Sequence, residues 1–356
     1  MQASPERAAL TRTKRVVVKI GSRTLAGDMA VYGRIAQGVA AARGEGRAVM
    51  LVSSGAIALG TKKLGYRARP KEMSRLQAAA AAGQSVLMRA YEEAFDALGI
   101  TVAQVLLSHA DLADRTRANN ARAALGALLD AGAVPILNEN DSVAVEEIKF
   151  GDNDQLSAMV APLIDADLLI LLSDVEGLLD ARGARVPLVK DTRTDALPLI
   201  RKAGGNVGTG GMASKVEAAR RATMAGAHAV IADARTEGIL EAILAGEDVG
   251  TLFVPSKDRL SAKKFWIAFT LRPQGEIVLD RGAADAVRAR GRSVLPIGVL
   301  GLRGDFRAGD SVRLLDPDGA EIGRGLARCA VVDAVILAGK PGDDVLVHRD
   351  EMVIWK

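Results

Sequence analysis

The sequence predicts an α/β protein: a mainly parallel open sheet flanked by helices, followed by a small β-rich domain. Three observations carry this. Up to about Phe253, short β-branched runs alternate with longer Ala- and Leu-rich stretches, the spacing of strands separated by helices. The short runs are apolar without interruption, as strands covered on both faces are. Past Pro255 the texture changes to brief Val, Leu and Ile stretches broken by Gly, Asp and Pro.

Taken in order, strands are expected at 15–20 (RVVVKI), 48–52 (AVMLV), 101–107, 133–137 (AVPIL), 168–172 (LLILL) and 228–231. Helices fill the intervals at 31–43, 73–97, 120–131, 155–164, 213–225 and 239–244. The second of these contains Gly83, an unfavourable residue inside a helix. In the C-terminal part, DPDG at 316–319 reads as a turn, because Pro presets φ and Gly accepts positive φ. The 356 residues therefore divide into a domain at 1–255, a charged linker at 256–269 and a β-rich domain at 270–356.

Composition removes several classes. With 49% apolar and 25% charged residues, the chain is neither disordered, collagenous nor a coiled coil. Aromatics at 3% are too scarce for recognition by ring stacking. The single cysteine, Cys329, cannot form an internal disulfide, and His109, His228 and His348 lack metal-ligand spacing, so no metal site is expected from them. Neither a signal-peptide core nor about 18 consecutive uncharged apolar residues occurs, so a cytoplasmic location is expected and no membrane span. The formal net charge is +4, yet from Thr270 onward there are 13 basic and 13 acidic residues, so the β-rich domain carries no net excess for nucleic acid. Arg288, Arg290 and Arg292 are read as a solvated helix face, with a local basic patch as the other reading.

In an open parallel sheet, ligands sit beyond the carboxyl ends of the strands. The residues there are polar or Gly: Lys19-Ile20-Gly21-Ser22, Ser53-Ser54-Gly55, Asn138-Glu139-Asn140-Asp141 and Ser173-Asp174. Ser-Gly pairs also serve as plain strand-to-helix turns, and the GDND segment at 151–154 also reads as a helix cap. Lys19 is different. A cation at the end of VVVK is buried in apolar surroundings unless an anion meets it. The segment GTGGMASK, 208–215, fits a relaxed Gly-x-Gly-x-x-Ala fingerprint but lacks a strand before it, and it lacks the Gly-Lys-Ser/Thr order of a Walker loop. What remains is a Gly-rich loop entering a helix, with Lys215 in the first turns, which is a phosphate site by its physics.

The strings VVVKIGS, LVSSGAIALG, ILNENDSVAVEEIKFGDND, LLSD and GTGGMASK, in this order, resemble the amino acid kinase family, supported by LLSHADLADRTRANNAR and VHRDEM. EIVLDRGAADAVRARGRSVLPIGV resembles the opening half of a PUA domain. Two departures stand out: Ser22-Arg23, where the family commonly has two hydroxyl residues, and 327–344, which is shorter and more apolar than the family leads one to expect.

The resemblance implies transfer of the ATP γ-phosphoryl group to the side-chain carboxylate of L-glutamate, the first step toward proline, with Mg²⁺ as cofactor. It implies that Lys19 and Lys215 hold phosphates and the travelling phosphoryl group, with Asp154 organising them. Ser54, Asp141 and Asn153 would bind glutamate. ATP would be held by Lys19, Gly21, Ser173, Asp174, Thr209, Gly210, Gly211, Met212, Ala213, Ser214 and Lys215. It further implies feedback inhibition by proline, a homodimer or homotetramer, and γ-glutamyl phosphate reductase as a partner; the lack of an apolar span and the balanced charge from Thr270 onward speak against a membrane and against nucleic acid. The competing expectations are a relative acting on another acid or a nucleotide, and a PUA-type RNA-binding protein.

Overall fold

Arg15–Ile20 (β1) occupies the middle of an eight-stranded sheet because its Val-rich run tolerates burial on both faces. The computed structural model describes residues 4–27, 29–143, 153–202 and 211–355. β1 lies between Ala48–Val52 (β2) and Leu168–Ser173 (β5), both parallel to it. Val102–Leu107 (β3), Val134–Glu139 (β4), Leu188–Val189 (β6), His228–Asp233 (β7) and Thr251–Phe253 (β8) complete the order β3-β4-β2-β1-β5-β7-β8-β6. Among these pairings only β7–β8 is antiparallel, so the sheet is mainly parallel as expected.

Alternation along β1 decides where the site can be built. Val16, Val18 and Ile20 face one core layer, formed with helices Ala30–Gly44, Met73–Asp96 and Ile239–Leu244. Val17 faces the other, formed with Asn153–Val160 and Met212–Ala225. Because successive strand side chains point to opposite faces, Lys19 shares the face of Val17.

A helix that the periodicity did not predict, Ala56–Lys63, starts directly after Ser54-Gly55, with Gly55 at φ +98°. It crosses Met73–Asp96 at two glycines. A Cβ on Gly60 would stand 1.7 Å from the Ala79 carbonyl oxygen, and one on Gly83 1.8 Å from that of Ala56. Gly83 thus lies in a continuous helix, and its cost in propensity is offset by the backbone contact it permits.

The chain divides into two units between Arg259 and Leu260. The second holds a mixed five-stranded sheet of Gly275–Leu279 (β9), Val299–Gly304 (β10), Ser311–Leu315 (β11), Glu321–Ala327 (β12) and Val347–Ile354 (β13), ordered β10-β9-β11-β12-β13. β9–β11 is its parallel pair. Segment 256–269 is not an open linker throughout. Ala262–Phe265 is helical and continues into the turn Trp266–Thr270, whose Phe269 stacks on Trp355 at 6.0 Å and whose Ala268 carbonyl accepts from Arg324. Aromatic packing and that hydrogen bond build the latter half of the segment into the second unit. In the arginine trio, Arg288 pairs with Asp316 at 2.9 Å. Among the described residues no helix is long and apolar enough to cross a membrane.

Candidate active site

Two consecutive residues at the start of helix Asn153–Val160 hold two separate polar clusters. Asp154 forms an ion pair through Oδ1 with Lys19 Nζ at 2.5 Å and accepts a hydrogen bond on Oδ2 from Lys215 Nζ at 3.1 Å. Ser214 Oγ donates to the same Oδ2 at 3.2 Å. Three elements meet here: β1, Asn153–Val160 and the first turn of Met212–Ala225.

All three ionic groups are buried, Lys19 and Lys215 at 6% exposure and Asp154 at 1%. Burial alone would raise the Asp154 carboxyl, but the ammonium groups of Lys19 and then Lys215 outweigh it and hold the carboxyl below its usual range. One carboxylate against two ammonium groups leaves a net positive charge in a place almost without water, and such a charge calls for an anion. Of the GDND segment read as a helix cap, Gly151 and Asp152 lie outside the described residues, and Asn153 and Asp154 open the helix itself.

Asn153 serves the second cluster. Its Nδ2 donates to the Ser53 carbonyl at 2.6 Å, Ser54 Oγ at 3.0 Å and Asn138 Oδ1 at 2.9 Å. Asn138 in turn donates to Gln84 Oε1 at 2.8 Å, and Ser53 Oγ bonds Tyr91 Oη at 3.0 Å. The carboxyl ends of β2 and β4 are thereby tied to the helix that carries Asp154. Ser54 does not cap the helix that follows it. Asn138 stood within a polar cluster of the sequence but carried no assigned role, because a side chain satisfied by residues 54 and 15 positions away leaves no local signal.

Around the mouth, Gly21 N–H donates to the Leu172 carbonyl, which joins the ends of β1 and β5. Ser173 Oγ donates to Asp174 Oδ1 at 3.1 Å, and Arg23 reaches Asp174 Oδ2 at 2.6 Å. Arg235 donates to the Asp174 carbonyl at 3.2 Å while pairing with Asp233 at 2.5 Å. Burial raises the Asp174 carboxyl, but hydrogen bonds from the backbone and Ser173, and the charges of Arg23 and Lys215, together lower it. Arg23, the departure noted in the sequence, is therefore the exposed partner of an expected ATP residue.

Gly211 is the extended N-cap of helix Met212–Ala225 and offers no side-chain cap. Met212 is half-buried, whereas Ala213 and Ser214 are buried. Thr209 and Gly210 lie outside the described residues. Asp141 is half-buried in the turn just after β4. Among the described residues no group of three His, Cys, Asp or Glu side chains could hold a metal ion.

A buried pair of lysines at the carboxyl edge of a mainly parallel sheet, beside a helix N-terminus, puts positive charge where an α/β fold presents its ligand site. The sequence matches the amino acid kinase family over residues 14–233 and the PUA domain over residues 275–348, and the chain belongs to the amino acid kinase family. At higher resemblance it is 45% identical to the glutamate 5-kinase of Pelobacter propionicus, over 98% of this chain and 99% of that one. It is 44% identical to the glutamate 5-kinase of Pseudomonas putida, over 98% and 100%. Among solved structures, the carbamate kinase of Giardia shares the fold at a TM-score of 0.52 and 18% identity, spanning 69% of this chain and 100% of that one.

Proposed function

We propose that the chain transfers the γ-phosphoryl group of ATP to the γ-carboxylate of L-glutamate, giving γ-glutamyl phosphate. One observation carries phosphoryl transfer: Lys19 and Lys215 converge on Asp154 and leave a buried net positive charge. The substrate is supported by the near full-length similarity to glutamate 5-kinases.

The chemistry asks little of a base. A glutamate side chain, with a pKa near 4.3, is ionised at neutral pH and needs no proton removed before it attacks. The obstacle is the approach of one anion to another, and fixed cations lower it where charge spreads over the transferring group. Lys19 and Lys215 supply that field. Asp154 keeps both ammonium groups aimed, acting as an organiser. Asn153 and Ser54 orient the amino acid beside them, with Asp141 assigned to its α-amino group. Gly21, Ser173, Asp174 and residues 209–215 hold the nucleotide. Mg²⁺, usual with ATP, finds no protein cage among the described residues and would be carried by the phosphates. An acyl phosphate hydrolyses readily, which favours direct delivery to γ-glutamyl phosphate reductase; inhibition by proline and a cytoplasmic location come with the family resemblance alone.

Incubating the protein with ATP, Mg²⁺, hydroxylamine and candidate acids tests it. Hydroxamate should form with glutamate and not with aspartate, acetylglutamate or carbamate. Hydroxamate from another acid, or none, rejects the assignment. RNA binding is disfavoured by the balanced charge of the second unit.

A further inference from the structure

We propose that Arg23 is a positioning residue for the nucleotide: it neutralises and holds the Asp174 carboxylate at the mouth of the site, so that the polyanionic tail of ATP meets no bare negative charge there. This rests on the ATP reading above and adds to it a residue that separates phosphorylated from unphosphorylated nucleosides.

Two links, spaced alike, tie the end of β1 to the end of β5. Gly21 N–H donates to the Leu172 carbonyl at 3.1 Å, and two residues further along each segment Arg23 Nη1 meets Asp174 Oδ2 at 2.6 Å. The segments touch at the first link, where a Cβ on Gly21 would stand 3.5 Å from that carbonyl oxygen. The second link therefore lies along the same sheet edge as Lys19, two residues before Gly21.

Asp174 has little freedom left. Ser173 Oγ donates to its Oδ1 at 3.1 Å, Arg23 holds Oδ2, and Arg235 Nη2 donates to its carbonyl oxygen at 3.2 Å. Arg235 commits its charge to Asp233 at 2.5 Å, which leaves Arg23 as the cation that answers Asp174.

Stability does not account for this pair. Arg23 is 77% exposed and Asp174 29%, and an ion pair that open adds little to folding. Its charge matters instead to what enters. The field of Lys215 reaches the Asp174 carboxyl, so the two share one electrostatic neighbourhood. With Arg23 in place, Arg23 offsets Asp174 and Arg235 offsets Asp233, and the buried excess of Lys19 and Lys215 over Asp154 acts on incoming phosphates undiminished. Without Arg23 a bare carboxylate faces the phosphates, and like charge opposes like.

Titration calorimetry on the full-length chain, with ATP and adenosine as probes, tests this. At low ionic strength Arg23→Ala should weaken ATP about 10-fold, the low end of what a charged cleft contributes, and change adenosine less than about two-fold. In an Asp174→Asn background the same substitution should change ATP affinity less than about two-fold, because no carboxylate is left to neutralise. Unchanged ATP affinity in Arg23→Ala overturns the proposal. So does an equal loss for adenosine, which makes the pair a nucleoside contact, or an equal loss in the Asp174→Asn background, which makes Arg23 act without Asp174. Those three results leave the kinase reading standing, whereas a wild type that binds no ATP rejects both.

Discussion

Lys19 and Lys215, 196 residues apart in the chain, place their ammonium groups on opposite oxygens of one carboxylate, Asp154. β1 sets the first of these, since strand alternation turns Lys19 toward the helices that carry the other two. The arrangement stores positive charge where the sheet ends, and the reaction proposed here uses that charge.

Asp154 should matter to stability as well as to turnover. Asp154→Ala leaves two buried ammonium groups without their partner, and removing one member of a buried ionic cluster typically costs about 3–5 kcal/mol. Urea unfolding with and without ATP should show this loss, partly restored by the nucleotide, because phosphates replace the missing anion. Asp154→Asn should be slow but active, consistent with an organiser rather than a base.

The pH dependence has a definite sign. The folded carboxyl of Asp154 lies below its unfolded value, so its contribution is complete above about pH 4 and is lost as pH falls through the folded value. Acid unfolding of the wild type should therefore contain a component that is absent in Asp154→Asn. Superimposable acid transitions would contradict the pairing.

Asn153 should separate substrate affinity from phosphate handling. Its amide binds Ser54 and Asn138, whereas Asp154 next to it binds the lysines. Asn153→Ala is expected to raise the KM for glutamate about 10-fold or more, the worth of one to two buried hydrogen bonds, and to leave the KM for ATP within two-fold. Steady-state kinetics with each substrate varied in turn decides this.

Gly83 should be intolerant of any side chain. Gly83→Ala places a methyl group against the Ala56 carbonyl, so the crossing helices must part. Overpacking of this kind costs about 1–3 kcal/mol, occasionally more. Because Ala56–Lys63 begins next to Ser54, the KM for glutamate should rise together with the drop in Tm. A fully stable, fully active Gly83→Ala would show that the crossing is looser than described.

Much of this was legible in the sequence, and the remainder was hidden for identifiable reasons. Parallel strands announce themselves because burial on both faces leaves apolar runs, and Lys19 stood out by breaking one. Helix Ala56–Lys63 was missed because its packing face is a glycine rather than an apolar stripe. The antiparallel β8 has three residues, too few for a period. The roles of Asn138 and Arg23 depend on partners far along the chain, Gln84 and Asn153 for the one and Asp174 for the other. The aromatic contacts that absorb part of the expected linker are likewise long-range.

The most direct test compares turnover in Lys19→Ala, Lys215→Ala and the double variant, each verified as folded by circular dichroism. Removing one electrostatic contact to the transition state typically lowers kcat about 10²–10³-fold. If the two ammonium groups act on one phosphoryl group as a unit, the double variant should lose far less than the product of the single losses. Turnover near wild type in either single variant would contradict the account.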